Sequence, residues 1–111
     1  MKIGTQNYND VTVVELQGEF TAEFVKTFTD TATSVLAAGA GGIVLDMSKV
    51  AFIDSQCLEQ LLWLRDYCDE NNRQLKLAGL DEYCTKILEI TRLLPQLEVY
   101  DELAQAVKSF A

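Results

Sequence analysis

The chain has 111 residues, of which 49% are hydrophobic, and no apolar run approaches the ~20 residues that a membrane-spanning helix needs. This length and composition exclude a disordered tail and suit one domain, 1–111, able to bury roughly 60–70% of its unfolded surface. Seventeen acidic against nine basic residues give a net charge of −8, which disfavours nucleic acid and anionic lipid and favours a protein partner.

In chain order, residues 2–7 and 11–17 read as two short strands joined by a tight turn at Tyr8-Asn9-Asp10. The β-branched run Val11-Thr12-Val13-Val14 supports the second strand, and Gly18 is expected to end it. Thr21 is expected to cap a first helix whose apolar face is Phe24, Val25, Phe28, Ala32, Val35 and Leu36. Gly39-Ala40-Gly41-Gly42 terminates that helix. Ile43-Val44-Leu45 is apolar without alternation, as in a strand covered on both faces. A second helix runs from about Ser55 to Asn71, and Gln74 to Ala78 form the next strand. Gly79 turns the chain, and Asp81 caps a third helix through about Leu94, which Pro95 stops. Leu97-Glu98-Val99 is a last strand, and Asp101 is expected to cap a final helix with Leu103, Ala106, Val107 and Phe110 on its apolar side. Alternating strands and helices imply parallel strands with right-handed crossovers; the opening hairpin makes the sheet mixed. The fold class is therefore α/β, a mixed β-sheet flanked by α-helices.

The segment 45–58, Leu-Asp-Met-Ser-Lys-Val-Ala-Phe-Ile-Asp-Ser-Gln-Cys-Leu, carries the most functional information. A strand is expected to end at Asp46, a short loop to follow, and Phe52-Ile53 to re-enter the core. Asp54 and Ser55 then stand at the positive end of the second helix, where free amides and the helix dipole accommodate an added anion. A hydroxyl there also serves as an ordinary cap, worth ~1 kcal/mol. Asp46 is expected to hold the strand-end loop by accepting from backbone amides. A paired-carboxylate enzyme built on Asp46 and Asp54 is disfavoured, because nothing in the sequence builds a substrate pocket around them.

This segment resembles the STAS family, the anti-sigma factor antagonist domains, in which an Asp-Ser pair after a Leu-Asp-x-Ser-x-Val-x-Phe-Ile-like run carries a regulatory phosphoserine. Gly18-Glu19-Phe20 resembles the family's Gly-acidic-apolar motif, and the element order matches along nearly the full chain. The resemblance implies a non-enzymatic partner-switching regulator. It would bind an anti-sigma factor or serine kinase and be switched by phosphorylation of Ser55, with Asp54 and Asp46 shaping the site. Gln56 and Cys57 stand where the family commonly has a small residue and a glycine; Glu59 and Trp63 stand where small residues are frequent. Those departures suit a rival reading, an accessory subunit of a lipid-transport ABC system that binds its ATPase without phosphorylation.

Gln56, Gln60, Trp63 and Tyr67 recur along one side of the second helix, with Glu59 beside them. They are read as a partner-binding stripe, the alternative being that Trp63 and Tyr67 tuck against a neighbouring helix. Cys57, Cys68 and Cys84 form no Cys-x-x-Cys, and the chain has no histidine. No disulfide framework, metal, catalytic residue or cofactor is expected. Cys57 lies on the side of Leu58, Leu61 and Cys68, which favours a core thiol over a reactive one. The segment Met1-Lys2-Ile3-Gly4-Thr5 lacks the apolar core of a signal peptide, so a cytoplasmic location without direct membrane insertion is expected.

Overall fold

The structure is a computed structural model that describes residues 1–110. Strands β1 (Lys2–Tyr8) and β2 (Val11–Phe20) form the opening hairpin. A 3-10 turn (Ala22–Phe24) leads into α1 (Val25–Ala37), followed by β3 (Gly42–Ile53), α2 (Ser55–Glu70), β4 (Gln74–Ala78) and α3 (Glu82–Ile90). A second 3-10 turn (Leu94–Gln96) precedes β5 (Glu98–Tyr100) and α4 (Leu103–Lys108). The five strands lie in sequence order in one mixed sheet, β1 antiparallel to β2 and the remaining pairs parallel.

That monotonic order fixes the layers. Right-handed crossovers between successive neighbours put α1, α2 and α3 on one face of the sheet. Under them Val14, Leu16, Ile43, Leu45, Met47 and Leu77 meet Phe28, Leu61, Leu64 and Leu88, all buried. The opposite face carries Val11, Val13, Val44 and Ala78, covered by Ala106 of α4. Both faces of β3 are thus apolar at its start, as its unalternating sequence implies.

Several boundaries differ from the sequence expectation. Gly18 does not end β2. It takes φ +108, and the register slips there, so β2 resumes as Glu19↔Phe52 and Phe20↔Ile53. A positive-φ glycine in a strand marks a bulge as readily as a stop. For the same reason the segment after Asp46 is no loop: β3 continues to Ile53 beside the prolonged β2, while its pairing with β4 ends at Asp46↔Ala78. α3 stops at Ile90, before Pro95, because Arg92 adopts φ +62 and closes the end; the Leu93 amide donates to the Leu88 carbonyl at 2.9 Å. α1 and α2 end on the same motif, with Gly39 and Asn72 in the left-handed conformation. Glu102, not Asp101, is the N-cap of α4, its amide donating to Gln105 Oε1 at 3.3 Å.

Gly79, φ +74, is held where β4 ends. Its amide donates to the Tyr100 carbonyl at 3.1 Å, and a Cβ there would lie 2.9 Å from Ser48 Cβ. Gly79→Ala should therefore cost more than ~1 kcal/mol of unfolding free energy in urea. Gly4→Ala, with open space around it, should stay within about 0.5 kcal/mol of the wild type.

Candidate functional site

The site forms where β3 hands over to α2. Ile53 is buried and anchors the end of the strand. The Asp54 amide donates to the Phe20 carbonyl at 3.1 Å, which ties the start of α2 to the end of β2. Asp54 is the N-cap, extended at φ −93 and ψ 173, and its Oδ1 accepts from the Cys57 amide at 3.0 Å. Its Oδ2 accepts from the Ala22 amide at 2.8 Å, across 32 positions of sequence. One carboxylate therefore caps α2 and the 3-10 turn that opens α1. Thr21 makes no side-chain cap; its carbonyl accepts from Phe24 instead. Burial pushes the Asp54 carboxyl up, but hydrogen bonds from the Cys57 and Ala22 amides outweigh it, and the acid sits below its ordinary value.

Because Asp54 does the capping, Ser55 occupies the first turn with its side chain exposed. Among the described residues the cap is filled by Asp54 and not by the Ser55 hydroxyl. Asp46, 8% exposed, accepts from both the amide and the hydroxyl of Ser48, at 3.1 and 2.8 Å, so it stabilises an extended strand rather than a loop. Asp46 and Asp54 stand at opposite ends of the stretch in which β3 pairs with β2 alone.

The helical stripe is less open than an exposed patch. Gln56 and Glu59 are exposed. Gln60 is half-buried and its Oε1 accepts from the Thr29 hydroxyl of α1 at 3.3 Å. Trp63 and Tyr67, ring centroids 5.2 Å apart, are half-buried against the core, and Tyr67 shares a recess with Leu36 and Ala37 of α1. The stripe faces α1, and the tucked arrangement is the one observed.

A different apolar surface begins at Phe52, near the end of β3. Phe52, 40% exposed, stacks on Tyr83 of α3, 43% exposed, with centroids 6.4 Å apart. Ile87 and Ile90 continue the α3 side of this surface, and Ile90 is 69% exposed. Sequence reading missed it because Phe52 and Tyr83 belong to elements that only the tertiary fold brings together. The available signal was Tyr83, Ile87 and Ile90 at helical spacing.

Cys57, Cys68 and Cys84 are fully buried, unpaired thiols. Burial, reinforced by the adjacent Asp54, raises the Cys57 thiol to about 12, so it stays protonated and unreactive near neutrality. Among the described residues no group of three His, Cys, Asp or Glu converges as a metal site, and no helix is long and apolar enough to cross a membrane.

A mixed five-stranded sheet with three helices on one face, a short helix on the other and an Asp-Ser pair leading α2 defines the class: the α/β fold of anti-sigma factor antagonists. The chain belongs to the STAS domain family, whose model matches residues 2–106. Among solved structures, a putative anti-sigma factor antagonist from Thermotoga maritima is 21% identical, with a TM-score of 0.89 over 96% of this chain and 92% of that one. The phosphorylated form of the Bacillus cell-fate determinant SpoIIAA is 15% identical, with a TM-score of 0.76 over 99% and 100%. A sulfate transporter family protein from Wolinella succinogenes is 19% identical, with a TM-score of 0.81 over 92% and 85%. At these identities the likeness is one of fold. No curated protein matches the sequence.

Asp54→Ala should lower unfolding free energy by about 1–2 kcal/mol, since two amides lose their acceptor. Asp54→Asn, which keeps one oxygen, should lose less. Because the acid is depressed in the folded state, its contribution is present above its ordinary value and disappears as pH falls through the lowered one. The stability gap between wild type and Asp54→Asn should therefore narrow in acid, as read by urea titration at several pH values. Trp63→Ala should cost about 2–3 kcal/mol, short of the ~3–5 of a fully buried tryptophan. A loss below about 0.5 kcal/mol would mean that Trp63 is surface.

Proposed function

We propose that this domain is a non-enzymatic partner-switching regulator, binding an anti-sigma factor or related serine kinase and controlled by phosphorylation of Ser55. The observation that carries the reading is the division of labour at the head of α2. Asp54 takes the structural role, and the neighbouring hydroxyl is exposed and spare. A phosphate on Ser55 adds about −1.5 to −2 charge at pH 7 and sits at a helix N-terminus, where the dipole tolerates it. The same charge falls beside a carboxylate held ionised by two amides, with Glu59 exposed on the next turn. The surface a partner meets changes strongly while the fold does not. The phosphorylated SpoIIAA among the structural neighbours supports the reading by analogy of fold. Phe52, three residues before Ser55, and Tyr83 stacked on it give the partner an apolar foothold. A serine kinase partner would bring its own nucleotide, so this chain needs no cofactor, and a cytoplasmic setting follows from such a partner.

Ser55→Asp should shift stability by no more than ~1 kcal/mol, because aspartate is favoured in the first helical turn. Affinity capture from the native cells with wild type and Ser55→Asp as bait, joined to phosphopeptide mapping, tests the switch. The expected result is phosphate on Ser55 and a serine kinase captured by wild type but lost, at least about tenfold, with Ser55→Asp. Phosphate confined to Ser48, Thr21 or Ser34 would sink the assignment. An ABC ATPase captured equally by both baits would establish the accessory-subunit reading instead.

A further inference from the structure

The sheet has one long free edge. β1 pairs with β2 on one side only, from Lys2↔Gln17 to Tyr8↔Val11 around a two-residue turn. In such a hairpin the residues flanking the turn form the closing hydrogen-bonded pair, and bonded and non-bonded pairs then alternate. Lys2, Gly4, Gln6 and Tyr8 accordingly turn their backbone groups to β2, while Ile3, Thr5 and Asn7 turn theirs outward. The edge lacks the usual protections: it has no proline and no bulge, and Lys2 is its only charge.

Beside this edge runs a cleft. The side chains of Ile3, Thr5 and Asn7 form one wall, and Thr31, Ser34 and Val35 of α1 form the other. The cleft offers about 540 Å³, within the ~300–1,000 Å³ of ordinary binding clefts. A free strand edge and a helix-walled cleft together make a site for an added strand. Main-chain groups at Ile3, Thr5 and Asn7 would hold the visitor's backbone, and its alternate side chains would enter between β1 and α1.

We propose that β1 is a β-augmentation site for an extended segment of a partner protein that is basic overall, with small apolar or hydroxyl side chains at alternate positions. The lining sets the side-chain chemistry: Ile3 and Val35 are apolar, and Thr5, Thr31 and Ser34 offer hydroxyls. Charge sets the partner. A second copy would bring another −8 against this chain's −8, whereas a basic segment is attracted. The site lies on the opposite side of β2 from the β3–α2 junction, so it stands independently of the Ser55 switch.

The test uses the full chain and a capped Lys-Val-Thr-Val-Thr-Lys peptide, followed by amide NMR and hydrogen exchange. Shifts and slowed exchange should concentrate at Ile3, Thr5 and Asn7, with Val35 responding across the cleft. Thr5→Pro removes an outward amide that the fold does not use, so its thermal midpoint should hold while peptide affinity falls by at least about tenfold. Ser34→Tyr, which fills the cleft from α1 and leaves the sequence of β1 unchanged, should weaken binding equally. Absence of binding, perturbation elsewhere, or a folded Thr5→Pro that binds like wild type would overturn the proposal. A concentration-dependent dimer in sedimentation, dissociated by Thr5→Pro, would assign the edge to a second copy and overturn the partner.

Discussion

One carboxylate holds the functional end of this domain together. Asp54 takes the Ala22 amide with one oxygen and the Cys57 amide with the other, while its own amide reaches the Phe20 carbonyl. Three contacts thus join the end of β2, the entry to α1 and the start of α2. Each amide would otherwise be an orphan of a helix end; the Cys57 amide is part-buried and would lose more than the exposed Ala22 amide, which water can reach. The position of Ser55 follows from this anchor, since the first residue of a helix points where its cap directs it. Freedom of the Ser55 hydroxyl also follows, because the cap is already filled.

The second constraint is the unequal length of the strands. β2 and β3 run on together past the point where β4 stops at Ala78. The extension is stabilised on one edge only, with a bulge at Gly18 to absorb the twist. It carries Phe52 beyond the main core, where α3 meets it through Tyr83 rather than burying it. The end of β3 therefore carries an exposed aromatic side chain three residues before Ser55. On the other face, Lys76 of β4 is buried but satisfied: its ammonium bonds Glu98 at 2.9 Å and Ser109 at 2.6 Å and lies 4.2 Å from the Phe110 ring. The Ser109 and Phe110 contacts tie the end of the short α4, which would be marginal alone, to the sheet.

The buried thiols show why motif chemistry needs its environment. Cys57 lies in the first turn of a helix, a place that lowers a thiol pKa when solvent and a cation are near. Here it is fully buried and its neighbour is an anion, and both push the thiol upward. Burial silences Cys57, and the Asp54 that caps the helix adds to it.

The sequence by itself determined the element order, the mixed sheet, the buried sides of α1 and α2, and the Asp-Ser pair at the head of α2. These rest on local periodicity, turn residues and caps, which depend on neighbours a few positions away. It also carried the family through the run from Leu45 to Ser55 and the motif at Gly18-Glu19-Phe20. Tertiary structure decided the rest. Thr21 has the right chemistry for a cap, but the Ala22 amide is taken by a residue 32 positions away. Gly18 reads equally as a stop or a bulge until its partner strand is known. Arg92 carries no sequence mark of a left-handed residue, yet it ends α3 ahead of Pro95. Trp63 and Tyr67 look like an open stripe on a lone helix and become half-buried only once α1 packs beside them. The Phe52–Tyr83 surface and the cleft along β1 each need two segments distant in sequence, and no local pattern encodes a distance between them.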